Sequence, residues 1–239
     1  MNTWGFADCT GAIAIAPDEI QIWRVPLSGQ PGAEDQLKEI LPPDQLARAS
    51  RFHYAHDRRR FIIRRAVLRQ LLAACLQTTP SAIRLSLGTH GKPAITGQTG
   101  ANGLRFSSSH SADWALIAIA RGIELGVDLE QHRPMNDVED LVKNCFSEAE
   151  ISELSRLPQA LKAAGFINGW TRKEAFVKAI GLGLSYPLNR IAVSLVPGRP
   201  AALLAVADDP DAIKKWTLIS LDAFPHYSAA LVFENKHFK

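Results

Sequence analysis

The sequence predicts a mixed α/β protein. Segments with helical apolar spacing alternate along the chain with short segments of period two. Gly, Pro or a capping residue marks most of the changes between them. The 239 residues, 46% hydrophobic and 21% charged, have the composition of an ordinary globular protein and can hold one large domain or two small ones.

Residues 1–19 are rich in Gly and Ala, and Pro17 breaks any regular pattern. Ile20 to Val25 alternates as a strand closed by Pro26, and residues 28–36 read as a Gly/Pro/acid loop. Pro43-Asp44 opens a short helix with Asp44 as its expected cap, and that helix carries Arg48 and Arg51, three apart, on one face. A longer helix is expected over Asp57 to Leu76, with Phe61, Leu68, Leu72 and Cys75 as its apolar stripe. Arg58, Arg59, Arg60, Arg64, Arg65 and Arg69 fill much of the remainder. Such a face fits a phosphate-bearing ligand, a nucleic acid or plain solvent. Nucleic acid loses ground because no aromatic residues interleave with these arginines for stacking.

Pro80-Ser81 interrupts the chain before a strand over Ile83 to Leu87. Gly88-Thr89-His90-Gly91-Lys92-Pro93 follows, either a plain turn or a glycine loop that brings Lys92 to a phosphate. Phe106-Ser107-Ser108-Ser109-His110-Ser111 clusters hydroxyls and an imidazole before the buried strand Trp114 to Ala120. No Gly-x-Ser-x-Gly elbow is present, and strand neighbours point to opposite sides, so Ser109 and His110 read as binding or structural groups. After Gly122, Val127 and Leu129 face one side of a strand and Asp128 and Glu130 the other. Two carboxylates at this spacing suit a hard cation such as Mg²⁺, or else form the solvent face of an edge strand.

Beyond a loop with Pro134, Ser147-Glu148-Ala149-Glu150 forms a capping box for a helix to about Leu157, which makes Glu150 a cap. The next helix runs from about Leu161 to Gly181, its C-cap. Trp170, Glu174 and Lys178 share one of its faces, an acid and a base beneath an indole. An ordinary i,i+4 ion pair is the alternative there. Strands over Ile191 to Val196, Ala202 to Val206, Trp216 to Leu221 and Ser228 to Phe233 complete the chain, and no repeat is visible at the residue level.

The net charge of +3 is too mild to point to nucleic acid by itself. Cys9, Cys75 and Cys145 form no CxxC pair, which argues against a zinc knuckle or a disulfide framework and for a reducing cytoplasm. The N-terminus has no basic n-region, and its apolar run Ala12 to Ala16 is too short for a signal or membrane segment.

In this order the motifs resemble the Sfp-type 4′-phosphopantetheinyl transferase family. The matching pieces are the basic stretch Arg48 to Arg69, Gly91-Lys92-Pro93, Phe106 to Ser111, Gly126-Val127-Asp128-Leu129-Glu130, Phe146-Ser147, and Trp170 to Gly183. The family usually carries Asn where this chain has Ser107. The resemblance implies an α/β (α+β) fold of two similar halves, a pseudo-dimer with the active site between residues 1–121 and 122–239. It implies Mg²⁺-dependent transfer of 4′-phosphopantetheine from coenzyme A to a serine of an apo acyl or peptidyl carrier protein, releasing 3′,5′-ADP. By analogy Asp128, Glu130 and Glu174 bind the metal, and Glu174 and Lys178 are catalytic. Arg48, Arg51, His90, Lys92, Ser109, His110, Asp128 and Lys178 hold coenzyme A. A cytoplasmic monomer acting on neither nucleic acid nor membrane is expected. A Mg²⁺-dependent hydrolase or nucleotidyl transferase, and a nucleic-acid-binding module, are the alternatives.

Overall fold

The computed structural model describes residues 2–3, 11–28, 33–96, 103–133 and 139–235. Expectations for Cys9 and residues 4–10, for positions 29–32 of the first loop, and for Pro134 lie outside the described residues.

In the first half, β1 (Asn2–Thr3) and β2 (Ile20–Pro26) precede three helices, α1 (Ala33–Lys38), α2 (Pro43–Ser50) and α3 (Ala55–Leu76). The pair β3 (Leu85–Leu87) and β4 (Pro93–Ile95) and the pair β5 (Leu104–Ser111) and β6 (Trp114–Arg121) follow. The second half holds β7 (Leu125–Gln131), α4 (Glu139–Cys145), α5 (Glu148–Arg156), α6 (Gln159–Ile180), β8 (Ile191–Val193), β9 (Leu203–Val206), α7 (Ala212–Lys215), β10 (Trp216–Ser220) and β11 (Tyr227–Glu234).

The halves repeat one topology. Each sheet pairs the strand that precedes the half's helices with the half's closing strand, β2 with β6 and β7 with β11, in the orders β1-β2-β6-β5 and β10-β11-β7. The register repeats too: Ile20 pairs with Ala120 and Leu125 with Phe233, the seventh residue of the partner strand in both cases. Both long helices have 22 residues and end at a left-handed residue, Gln77 or Gly181.

Three cores hold this arrangement together. One lies between α3 and the first sheet, and one between α6 and the second. The third lies between the halves, where Leu116, Ala118 and Ala120 of β6 meet Val127 and Leu129 of β7 and Leu231 of β11. Strand β6 is therefore buried on both faces, which is why its sequence is a continuous apolar run rather than an alternating one.

Several local expectations change. Part of the loop expected over 28–36 is the helix α1. Asp44 is not the cap of α2: Pro42 holds that position and Pro43 starts the helix, where its missing N–H costs nothing, so Asp44 lies in the first turn. The stripe of α3 widens, because Ile62, Ile63, Ala66, Val67 and Leu71 are buried as well. The Ser147 capping box and the Gly181 C-cap form as the sequence predicts.

Candidate active site

The site is built where α6 crosses β7. Gly126 allows the crossing: a Cβ there would lie 2.1 Å from the Ala175 carbonyl oxygen and 2.3 Å from the Ala179 nitrogen. The helix backbone thus rests on the strand, which sets Glu174 and Lys178 over the Asp128 face. Glu174 and Lys178 form no ion pair with each other. Lys178 Nζ instead lies 2.5 Å from Asp128 Oδ1 and 3.1 Å from Ser109 Oγ. Ser109 Oγ donates to the same Asp128 oxygen at 2.7 Å. Trp170 is not above this pair; it is packed into the second core, stacked on Phe166.

The serines of β5 close the seam between the halves. Ser107 Oγ accepts the Val127 N–H and Ser111 Oγ accepts the Gln131 N–H, each at 3.1 Å. Ser111 also donates to Glu130 Oε2 at 2.8 Å. Ser107 and Ser111 thereby serve the outward edge of β7, which lies at the margin of its own sheet. Edge groups left bare inside a protein would be costly.

Asp128 is only 3% exposed, yet among the described residues its Oδ2 has no hydrogen-bond partner, and neither has the buried Oε1 of Glu174. Burial, then the nearby Asp128, raises the Glu174 carboxyl above the ordinary range; Lys178 opposes the shift and Glu130 adds to it. Burial also raises Glu130, against the Ser111 hydrogen bond and with repulsion from Asp128. Among the described residues no three ligating side chains close into a metal site, and Lys178 takes the place a cation would have on Asp128. The donor chemistry nonetheless fits a hard cation. Three carboxylates share the cleft, two oxygens lack partners, and their mutual repulsion is what a bound cation would relieve.

Beside the carboxylates, a cavity of about 230 Å³ opens at the seam. Arg64 and Arg65 line it from α3, His90 and Lys92 from the β3–β4 turn, Ser108 from β5 and Lys178 from α6. Gly91, at φ +83°, makes that turn, and Gly183 lets it dock, since a Cβ there would lie 2.6 Å from the His90 oxygen. The ammonium of Lys92 spans the halves, 2.8 Å from Glu124 and 2.9 Å from the Ala179 carbonyl. Its stem faces the cavity while its charge is spent on this brace. Burial, followed by repulsion from Arg64, Lys178, Arg65 and Arg60, brings the pKa of His110 down to about 4.

Arg48 and Arg51 stand exposed on a separate shallow depression with Asp44 and Phe52. Arg48 connects to the cavity through Phe61, whose ring lies 5.5 Å from its guanidinium, 5.6 Å from that of Arg65 and 5.9 Å from that of Arg64. Other arginines of α3 have internal partners: Arg60 pairs with Asp113, and buried Arg69 donates to the Pro80 and Ile83 carbonyls.

The sequence reading did not single out Arg64 and Arg65, because spacing alone does not show which arginines of a charged helix lack partners. It also missed Lys173, which is fully buried against Glu150 at 2.6 Å. A signal for it existed: Lys173 interrupts the apolar stripe Phe166, Trp170, Val177 and Ile180 at helical spacing.

A family profile described as "4′-phosphopantetheinyl transferase superfamily" matches residues 124–232, and one described as "4′-phosphopantetheinyl transferase, N-terminal" matches residues 29–121. The chain is 37% identical over 191 residues to the 4′-phosphopantetheinyl transferase HetI of Nostoc sp., covering 80% of each chain. It is 31% identical over 202 residues to a putative 4′-phosphopantetheinyl transferase of Synechocystis sp., covering 84% of this chain and 78% of that one. To the 4′-phosphopantetheinyl transferase Sfp of Bacillus subtilis it is 29% identical over 161 residues, covering 67% and 69%.

Proposed function

The chain belongs to the 4′-phosphopantetheinyl transferase superfamily, and from that premise we propose how its own residues perform the reaction. The enzyme transfers the 4′-phosphopantetheine moiety of coenzyme A to a carrier protein. In the proposed mechanism a serine hydroxyl of the apo acyl or peptidyl carrier attacks phosphorus. The new O–P bond forms as the diphosphate P–O bond breaks, and the electron pair leaves with 3′,5′-ADP.

The observation that carries this reading is the pair of buried, partnerless oxygens, Asp128 Oδ2 and Glu174 Oε1, beside Lys178. Burial keeps Glu174 basic enough to accept the serine proton. Lys178 turns its ammonium to the charge building on the leaving group. Asp128, Glu130 and Glu174 would hold Mg²⁺. When bound, the ion supplies charge stabilisation for the diphosphate oxygens. Ser109 and His110 orient the donor from β5, His90 and Lys92 wall the cavity, and Arg48 and Arg51 meet the 3′-phosphate from α2.

We further propose that the halves divide between residues 121 and 122 and that a monomer is sufficient, since both halves of one chain contribute to the site. A cytoplasmic setting agrees with the free, buried Cys75 and Cys145. No helix among the described residues is long and apolar enough to cross a membrane, and the enzyme is proposed to act away from membranes. Internal partners for Arg60 and Arg69 argue against a nucleic-acid face on α3. Intact-mass spectrometry of an apo carrier incubated with the enzyme, coenzyme A and Mg²⁺ tests the reading. One added phosphopantetheine per carrier is expected, lost when the carrier serine is replaced by alanine. A carrier that stays apo rejects it.

A further inference from the structure

We propose that Lys178 is a displaceable counter-ion that closes the carboxylate centre to divalent cations until the donor's diphosphate draws its ammonium away. The inference rests on the transferase reading and gives this lysine a second duty. Its ammonium is held by Asp128 Oδ1 at 2.5 Å and Ser109 Oγ at 3.1 Å, while Ser109 donates to that same Oδ1. Both donors thus crowd one oxygen of Asp128, and among the described residues Oδ2 is left with no partner. Glu174 Oε1, one turn earlier on α6, is likewise buried and without a hydrogen bond among them. The lysine therefore neutralises Asp128 without satisfying the centre.

Lys173, on the same helix, shows what a permanent buried pair looks like in this protein. Its side chain is fully buried, and its ammonium donates to Glu150 and to the Cys145 and Leu188 carbonyls. Glu150 in turn accepts the Ser147 and Val193 N–H groups, so both of its oxygens are used. Lys178 differs on each count: its side chain is 30% exposed, it leaves an oxygen of its partner bare, and it lines the seam cavity beside Arg64 and Arg65. A rotation of its flexible stem carries the ammonium from Asp128 to an anion in that cavity. A divalent ion on Asp128 with the ammonium still in place would set two cations on one buried carboxylate, where repulsion is weakly screened. A diphosphate removes the conflict by accepting the ammonium itself. Metal and donor then bind with positive coupling, each raising the affinity of the other by the same factor.

The test is Mn²⁺ titration followed by electron paramagnetic resonance, with and without coenzyme A and against a protein-free coenzyme A blank. Without donor, Lys178→Met should bind Mn²⁺ about tenfold or more tightly than the wild type, because a charge-assisted contact no longer competes. Coenzyme A should raise the affinity of the wild type by a larger factor than that of the variant. Lys178→Arg keeps the charge and should stay close to the wild type. Arg65→Gln removes a cation of the same cavity that is not paired with Asp128, and should also stay close to it. In donor-free melts, Mn²⁺ should raise the Tm of Lys178→Met and leave that of the wild type nearly unchanged. If Lys178→Met does not fold, Ser109→Ala, which removes the second support of the ammonium, carries the comparison, with a smaller rise in affinity expected. Donor-free binding no tighter in the folded variant than in the wild type overturns the proposal, as does an equal rise in Lys178→Arg or Arg65→Gln. A wild type that shows the coupling but leaves every carrier apo sinks the transferase reading and leaves the lysine lock standing.

Discussion

Glu174 is the residue whose environment says most about its work. A carboxyl held above its ordinary pKa contributes stability that is fully present below that ordinary value and lost as pH rises through the raised one. At neutral pH the ionised group therefore destabilises the free protein. Glu174→Gln should raise Tm at pH 7 without Mg²⁺, with the gain fading towards pH 4. The same substitution should lower kcat by roughly 10²–10⁴-fold, and excess Mg²⁺ should not restore it if Glu174 is the base. Thermal melts across pH and carrier modification over a Mg²⁺ series check the two halves of this forecast. Near-normal turnover would remove Glu174 from the chemistry. Lys173, its neighbour in sequence, has the opposite character. Its ammonium is buried among Glu150 and the carbonyls of Cys145 and Leu188, beyond reach of the cleft. Lys173→Met would strand the Glu150 charge, though Ser147 and the Val193 N–H still serve it, at a cost of about 3–5 kcal/mol in urea unfolding. A loss well under 1 kcal/mol would show that the pair adds nothing.

At the scale of elements, the site depends on how closely α6 lies on β7. Gly126→Ala sets a methyl against helix backbone, which cannot rotate away as a side chain can. Overpacking of this kind costs about 1–3 kcal/mol or more, and here it also lifts Glu174 and Lys178 away from Asp128. Stability and kcat should fall together; wild-type kcat in a destabilised Gly126→Ala protein would contradict the coupling. The serine seam gives a second element-level forecast. Ser107→Ala leaves the buried Val127 N–H without its acceptor, a loss of about 1–3 kcal/mol. Ser107→Asn, the residue usual in the family, still offers an oxygen and should recover much of that loss in denaturant melts. Equal destabilisation by Ala and Asn would show that the hydroxyl is not serving as the acceptor.

For the whole molecule, the duplicated topology matters because only one copy carries the acids and the lysine of the candidate site. Positions four and six of β7 are Asp128 and Glu130, whereas those of β2 are Trp23 and Val25. Positions sixteen and twenty of α6 are Glu174 and Lys178, whereas those of α3 are Gln70 and Ala74. One half supplies acids while α2 and α3 of the other supply arginines, so the seam joins an acidic cluster to a basic cavity wall. An acidic carrier docking near that wall would be steered by exposed charge, which salt screens, whereas the half-buried Arg64 and Arg65 are screened less. Raising NaCl should therefore increase KM for the carrier more than KM for coenzyme A. A flat response for the carrier in steady-state kinetics would favour an apolar dock instead.

Periodicity and capping were enough to locate most strands, both long helices and the Ser147 and Gly181 boundaries, because those signals act over one or two turns of chain. The alternation at Asp128 and Glu130 and the spacing of Glu174 and Lys178 fixed which side chains share a face, for the same local reason. The partners of those faces were decided by the tertiary structure. Lys178 pairs with Asp128 and not with Glu174, Lys92 spends its charge on Glu124, and Arg64 and Arg65 are the arginines of α3 that line the cavity without an ion pair or hydrogen bond among the described residues. Nor does the duplication appear in residue identities, since a topology constrains burial and register and leaves the side chains free to diverge. Burial and charge pairing depend on groups far apart in the chain, and only the closing of the seam between the halves brings those groups together.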